Sequence, residues 1–347
     1  MAFFIGLVYI CLMNLDFSFI IPVYNRPNEI EELLQSFIGL KCDIPFEIVI
    51  IEDGSDISSK DVVDRYASKL NIAYYYKENS GPGDSRNYGM RKAKGNYYII
   101  LDSDCVLPPQ YLNKVLNSLK KDYVDCFGGP DAAHKSFTNL QKAINFSMTS
   151  FITTGGIRGN KNSVDKFQPR SFNMGLSKKA FEVTKGFGSI HPGEDPDLSI
   201  RLWKAGFNTK LITEAFVYHK RRISWSKFYT QVKKFGMVRP ILNKWHPETK
   251  KLTYWFPFLF CLGVFCSIVL AMFNIIWPLY FVLSYYLLAL ILALIKTRNI
   301  IVSLQSLLAI TIQFYGYGYG FIKSTFQVGV LNKKPEQEFP NLFFKNN

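Results

Sequence analysis

Phe46-Glu-Ile-Val-Ile-Ile51, followed at once by Glu52-Asp-Gly-Ser-Asp56, decides how this chain folds. Ile48-Val-Ile-Ile51 is apolar at every position, so a strand made from it offers hydrophobic side chains to both faces of a sheet. That is the signature of a parallel sheet covered by helices on each side. Similar β-rich runs lie at residues 17–21, 72–77 and 97–101, with helical patterns at 28–40, 61–70 and 84–93 between them. Glu29, Glu31 and Glu32 crowd the start of the first helical pattern, where carboxylates complement the helix dipole. Alternation of this kind predicts an α/β fold with a doubly wound, mostly parallel sheet. In such sheets ligands collect at the carboxyl ends of the strands.

Those strand ends carry the candidate chemistry. Pro22-Val-Tyr-Asn-Arg26 follows the first strand, Glu52-Asp-Gly-Ser-Asp56 the second and Asp102-Ser-Asp104 the fourth. One acidic turn is an ordinary loop; three at one sheet edge form a constellation. Asp102 and Asp104 can present oxygens to one centre where the backbone bends. Hard cations such as Mg²⁺ or Mn²⁺ take such ligands and share them with a diphosphate. Between the third and fourth strands, Ser80-Gly-Pro-Gly-Asp-Ser-Arg-Asn-Tyr-Gly89 is a glycine turn opening a helix, an arrangement that favours an anion. Arg86 lies in the first turn and can fork onto a phosphate or a base edge. The loop is neither a Walker A sequence nor a GxGxxG fingerprint, so ATP and NAD are poorly supported.

Taken together, Phe19-Ile-Ile-Pro-Val-Tyr-Asn-Arg26, Glu52-Asp-Gly-Ser55, Gly83-x-x-Arg86-Asn87 and Asp102-Ser-Asp104 resemble family 2 glycosyltransferases of the GT-A fold, over roughly residues 17–240. The resemblance implies a nucleotide-sugar donor, with a UDP-sugar favoured. It also implies a divalent metal (Mn²⁺ or Mg²⁺) and inversion at the anomeric carbon by direct displacement. By this likeness Pro22, Tyr24, Asn25, Arg26, Glu52, Asp53, Gly83, Arg86, Asn87, Asp102 and Ser103 surround the donor, and Asp104 ligates the metal bridging the diphosphate. Asn173-Met-Gly-Leu176 is similar to the family's short strand beside the acceptor, which sets Asn173 and Gly175 on the acceptor side. His191-Pro-Gly-Glu-Asp-Pro-Asp-Leu198 resembles its Glu-Asp motif at a helix start. The second acid of that pair, Asp195, then takes the role of general base beside Glu194; capping the helix is their plainer role. His219, closing Phe216-Val-Tyr-His219, resembles the third metal ligand of many GT-A enzymes, although a histidine after a strand is also a common structural residue.

Composition adds a second half to the molecule. The 347 residues are 48% hydrophobic and 20% charged, which excludes a disordered tail protein, a collagen-like fibre and a disulfide-dense module. Aromatics reach 16% and mean hydropathy is +0.04, high for a basic soluble protein. The apolar content is concentrated at residues 255–273, 275–295 and 300–322, uncharged runs of 19, 21 and 23 residues. Each is long enough to cross a hydrocarbon core of ~30 Å. Only Asn274 separates the first two, which read as a helical hairpin; Lys296-Thr-Arg298-Asn299 precedes the third. Gln305, Gln313 and the Tyr-Gly repeat at 315–320 mark that third run as an interfacial or packed helix. The net charge of +14 is also local: residues 201–251 hold thirteen Lys or Arg against Glu214 and Glu248. The positive-inside rule then places residues 17–250 in the cytoplasm, with the basic cluster on anionic membrane lipids. Because the charge abuts the membrane, no nucleic-acid partner is expected. Six cysteines without a CxxC pair fit a reduced setting.

The expected organisation is an apolar leader or overlong start (1–16, with Met13 as a second start), a glycosyltransferase domain (17–240) and a basic juxtamembrane linker (241–254). Two to three transmembrane helices (255–322) and a polar tail (323–347) follow. Residues 153–169, rich in Gly and Asn, read as a long loop of the kind that closes over substrate. The family's processive synthases carry Gln-x-x-Arg-Trp before their channel helices, whereas Gln231-Val-Lys-Lys-Phe235 lacks both Arg and Trp. The expectation is therefore a multi-pass, non-processive enzyme of cell-envelope glycan synthesis that adds one sugar to a lipid-linked or saccharide acceptor. Polyprenol phosphate is the alternative acceptor, but a base such as Asp195 suits a hydroxyl better than an already ionised phosphate. A catalytically silent membrane scaffold is the reading from another class, and the intact set Asp53, Asp102, Asp104 and Asp195 argues against it.

Overall fold

The computed structural model describes residues 15–132, 137–155, 166–219 and 224–344. Nearly all of the expected leader and most of the 153–169 loop lie outside the described residues. Two compact units emerge. Residues 1–132, 163–219 and 344–347 make the first, and residues 133–162 and 220–343 the second.

In chain order the elements are β1 (Phe17–Val23), α1 (Pro27–Ile38), β2 (Phe46–Asp53), α2 (Lys60–Tyr66), β3 (Ile72–Lys77), α3 (Pro82–Lys92), β4 (Tyr97–Leu101), β5 (Cys105–Val106), α4 (Tyr111–Lys121), β6 (Cys126–Gly128) and β7 (Asp131–Ala132). Then come α5 (Asn139–Thr149), α6 (Phe151–Thr154), β8 (Asn173–Ser177), α7 (Lys178–Thr184), α8 (Glu194–Lys204), β9 (Thr209–Leu211) and β10 (Val217–His219). The chain closes with α9 (Trp225–Trp245), α10 (Phe256–Met272), α11 (Trp277–Thr297), α12 (Ile300–Ser324) and α13 (Pro335–Glu338).

The first unit is built on a seven-stranded sheet of order β3-β2-β1-β4-β8-β6-β9. Pairing is parallel from β3 through β4, and β8 runs antiparallel to both β4 and β6. Alternating residues of β1 and β2 feed two separate cores, as the unbroken apolar strands require. Phe19, Ile21, Ile48 and Ile50 pack with Leu33 and Phe37 of α1 and Leu112 of α4. Ile20, Val49 and Ile51 pack with Met90 of α3 and Leu198 and Leu202 of α8. Register aligns the strand ends: Val23 lies opposite Glu52, and Ile20 opposite Ile100. β2 runs two residues beyond the apolar stretch because Glu52 and Asp53 pair with Tyr76 and Lys77 of β3. The helix expected over 61–70 stops at Tyr66, whose carbonyl accepts from both Lys69 and Leu70 in a closing turn. A second, three-stranded sheet of order β5-β10-β7 sets His219 beside Cys105, next to the Asp102-Ser-Asp104 corner.

The second unit holds three helices long and apolar enough to cross a membrane: Leu252–Met272, Trp277–Thr297 and Ile300–Val330. They are not equivalent. The most apolar windows of the first two are 6% and 11% buried within the protein, against 39% for the third. Protein side chains, including Ile144 of α5 and Phe228 and Val232 of α9, cover α12 around Ala309. The glycines of the Tyr-Gly repeat explain how α9 comes so close. A Cβ added at Gly320 would overlap the Lys233 carbonyl, and one at Gly236 the Tyr317 carbonyl. Small residues permit this backbone-to-backbone approach. The third apolar run is therefore more covered by protein than the other two.

Candidate active site

The level strand ends of β1, β2 and β4 gather most of the anticipated residues. Asp104 lies between Arg26 Nη1 at 2.8 Å and His219 Nε2 at 3.1 Å, and Asp102 is 3.9 Å from the same imidazole nitrogen. Burial pushes the Asp104 carboxyl up, but His219 and then Arg26 outweigh it and hold it well below the usual range. The His219 ring is fixed by stacking on Phe172 at 4.8 Å. Cys105 also adjoins this cluster. Its thiol, however, donates to the Phe172 carbonyl at 3.3 Å, and burial pushes its pKa well above the ordinary value. Sulfur is a soft ligand and this thiol is engaged by Phe172, so the donors that suit a hard cation are the oxygens of Asp104 and Asp102 with the nitrogen of His219. Two carboxylates and an imidazole fit Mn²⁺ or Mg²⁺.

Arg86 connects this corner to the start of α8. Its side chain is only 3% exposed and donates through Nη2 to Asp102 at 2.7 Å and through Nη1 to Glu194 at 3.3 Å. Nε has no partner among the described residues. Glu194 also meets Nδ1 of His191 at 2.8 Å. Burial works against its charge, yet His191 and Arg86 prevail and hold it at about 2. Asp195 is pushed the other way, to about 6, first by burial and then by the charge of Glu194, against the pull of Arg86 and Arg170. Its Oδ1 is buried with no hydrogen-bond partner among the described residues. The cap of α8 is Gly193, so neither acid stands at the cap position.

Other anticipated residues turn inward. Glu52 is fully buried and accepts from Ser55, from the Ser59 N–H at 2.7 Å and from the Tyr74 hydroxyl at 3.1 Å. Asp53 accepts from the N–H groups of Ser80 and Gly81, both at 3.0 Å, and from Lys77 Nζ at 2.6 Å. Asn25 ties the turn after β1 to the one after β2 through Ser55 and Ile57. Asn87 brackets the backbone of Phe187, and Gly83 packs against the carbonyl of Gly188. Asn173 receives the Tyr111 hydroxyl at 2.6 Å and donates to the Ala215 carbonyl at 2.8 Å, while Gly175 lies under the Phe127 ring. Both are buried in the sheet, where Asn173 steadies the approach to β10 and so to His219. Ser103 is buried, and Tyr24 is 49% exposed beside Pro22. Residues assigned no role from the sequence also matter. Lys77 neutralises Asp53, and its only signal was a lysine closing a strand. His191 buttresses Glu194, and its signal was the i,i+3 spacing. Ser171 bonds Asp195.

The family model described as glycosyl transferase family 2 matches residues 18–183. Those residues form a family 2 glycosyltransferase domain. An uncharacterized glycosyltransferase of Rickettsia typhi is 36% identical over 104 residues, which is 30% of this chain and 32% of that protein. The poly(ribitol-phosphate) beta-N-acetylglucosaminyltransferase TarS of Staphylococcus aureus is 36% identical over 105 residues, 29% of this chain and 17% of its own length. The chain thus spans about a third or less of these curated relatives. The mannosyltransferase PcManGT of Pyrobaculum calidifontis, solved with GDP-Man and Mn²⁺, shares the GT-A fold, with a TM-score of 0.56 at 15% identity over 94% of each chain.

The donor set of this glycosyltransferase domain makes a direct prediction. In Mn²⁺ titrations followed by electron paramagnetic resonance, Asp104→Ala should abolish binding and His219→Ala should weaken it. Cys105→Ser should leave it unchanged, because the thiol already serves the Phe172 carbonyl.

Proposed function

We propose that this protein transfers a single sugar, with inversion, from a nucleotide-sugar (UDP-linked in the first instance) to a hydroxyl of a lipid-linked or saccharide acceptor in cell-envelope glycan synthesis. The observation that carries the reading is Asp195. Its buried carboxylate has one unpartnered oxygen and a pKa of about 6, and it sits one residue from Glu194, which Arg86 ties to the Asp102 corner. A base poised near the working pH removes a proton most effectively. The Asp195 carboxylate takes the proton of the acceptor hydroxyl as the hydroxyl oxygen attacks the anomeric carbon from the side opposite the leaving group. His191 and then Arg86 keep Glu194 ionised, and its charge adds to burial in sustaining the basicity of Asp195. Tyr24 offers an exposed ring for the nucleobase. Asp104 and His219, with Asp102, would hold the divalent cation, which when bound neutralises charge developing on the departing diphosphate. The names of TarS and of the Bacillus subtilis relative, minor teichoic acid biosynthesis protein GgaB, support an envelope polymer as the destination.

The same reading includes a membrane hairpin, with the glycosyltransferase domain in the cytoplasm. Lys250 and Lys251 precede α10, Lys296 and Arg298 follow α11, and the connection between the two helices is uncharged. Basic residues at both ends of a hairpin place both ends inside. Phe344 belongs to the first unit, which supports an even number of crossings between His219 and Phe344. Two crossings, α10 and α11, meet that condition and leave α12 packed against α9 on the cytoplasmic side.

Asp195→Asn should keep its fold, Mn²⁺ binding and UDP-sugar affinity while transfer falls by ~10²–10⁴-fold. Wild-type activity should decline as pH drops through about 6, where Asp195 gains its proton. Glu194→Gln removes the charge that raises Asp195, so its residual activity should persist to lower pH. If Asp195→Asn retained activity, the acceptor would be already ionised, as a polyprenol phosphate is. Separately, a protease site fused after Asn347 should be protected in intact cells and cut in inverted vesicles; the reverse would require a third crossing.

A further inference from the structure

Among the described residues, Phe344 is the single residue of the tail that belongs to the first unit. Its N–H donates to the Ser189 carbonyl at 3.0 Å. Its ring centroid is 5.9 Å from that of His191, with the planes tilted by 52°. The ring also covers Gly81, where an added Cβ would overlap it. Gly81 has φ +92°, a conformation that side chains with a Cβ disfavour, so backbone and packing both require glycine there.

Each surface that the ring touches is bonded directly to a site carboxylate. The N–H of Gly81 donates to Asp53 Oδ2 at 3.0 Å, next to the Ser80 N–H on Oδ1. His191 Nδ1 lies 2.8 Å from Glu194 Oε1, and its side chain is 39% exposed. The imidazole is therefore held by the Glu194 carboxylate and the Phe344 ring. Phe344 has no group that could take part in chemistry; what it supplies is a rigid apolar wedge between the turn before α3 and the turn before α8. The first turn cradles Asp53, and the second presents Glu194 and Asp195.

We propose that Phe344 is a positioning residue: the tail inserts its ring to hold the Gly81 turn and the His191 turn in one fixed arrangement, coupling the donor end of the site to the base end. The proposal rests on the glycosyl-transfer reading only for its ligand arm. The test uses the full-length protein in detergent, with Phe344→Ala, Phe344→Leu and Phe344→Tyr. Hydrogen exchange read by mass spectrometry, with no ligand present, should quicken about 3–10-fold in peptides covering residues 79–84 and 189–195, the range expected for losing one aromatic contact. Peptides from β1 and β2 should not change. Phe344→Tyr should restore protection in both turns, and Phe344→Leu should restore part of it. Affinity for UDP with Mn²⁺ should fall about 3–10-fold in Phe344→Ala and recover in Phe344→Tyr. Unchanged exchange in the two turns would overturn the proposal, as would tighter UDP binding by Phe344→Ala, the mark of a tail that blocks the site. If the wild type bound no UDP, the donor assignment would fail, and the exchange result alone would decide the role of Phe344.

Discussion

A guanidinium withdrawn almost entirely from water governs the active site. Removing an arginine from solvent costs several kcal/mol unless its hydrogen bonds are replaced by good partners. Arg86 finds two, Asp102 at the end of β4 and Glu194 at the start of α8. The carboxyl edge of the sheet and the helix that opens with Glu194 and Asp195 are thereby locked to one planar group. The electrostatic consequence reaches Asp195: burial first, and then the charge that His191 and Arg86 preserve on Glu194, disfavours it as an anion, and it rises to about 6. One buried cation thus joins the Asp102 corner to the start of α8.

Much of this was legible in the chain. Unbroken apolar strands foretold the two-faced sheet, and acidic residues beyond them marked its working edge. The direction in which a short polar side chain points was not legible. Glu52, Asn87 and Asn173 stand where ligand contacts were anticipated, yet each is spent on protein donors and acceptors that hold turns in place. An acid or amide at a strand end has the same spacing whether it meets substrate or backbone, and only tertiary packing distinguishes the two. Lys77 and His191 escaped notice for the same reason, since their roles depend on partners 24 and three residues away. β2 outran its apolar stretch because β3 offered it a further pair of residues, a long-range effect that local composition does not carry.

The second unit is built on long apolar helices. α10 and α11 leave most of their apolar surface uncovered by protein, whereas α12 spends its glycines on close approach to α9. Length and hydropathy count three spans; packing separates two from the third. On the proposed reading, α10 and α11 form a membrane hairpin that raises the effective concentration of a lipid-linked acceptor without adding any contact to it.

Replacing Arg86 by lysine tests the central claim most directly. Lysine keeps the charge but, as a point donor on a flexible stem, it cannot span two carboxylates as the guanidinium fork does. The measurement is transfer rate alongside thermal stability for Arg86→Lys. The account predicts a folded protein whose transfer falls by about 10²-fold or more, as expected when a buried carboxylate loses its partner. Transfer near the wild-type rate would contradict it, because the coupling of donor edge and base would then not depend on the guanidinium.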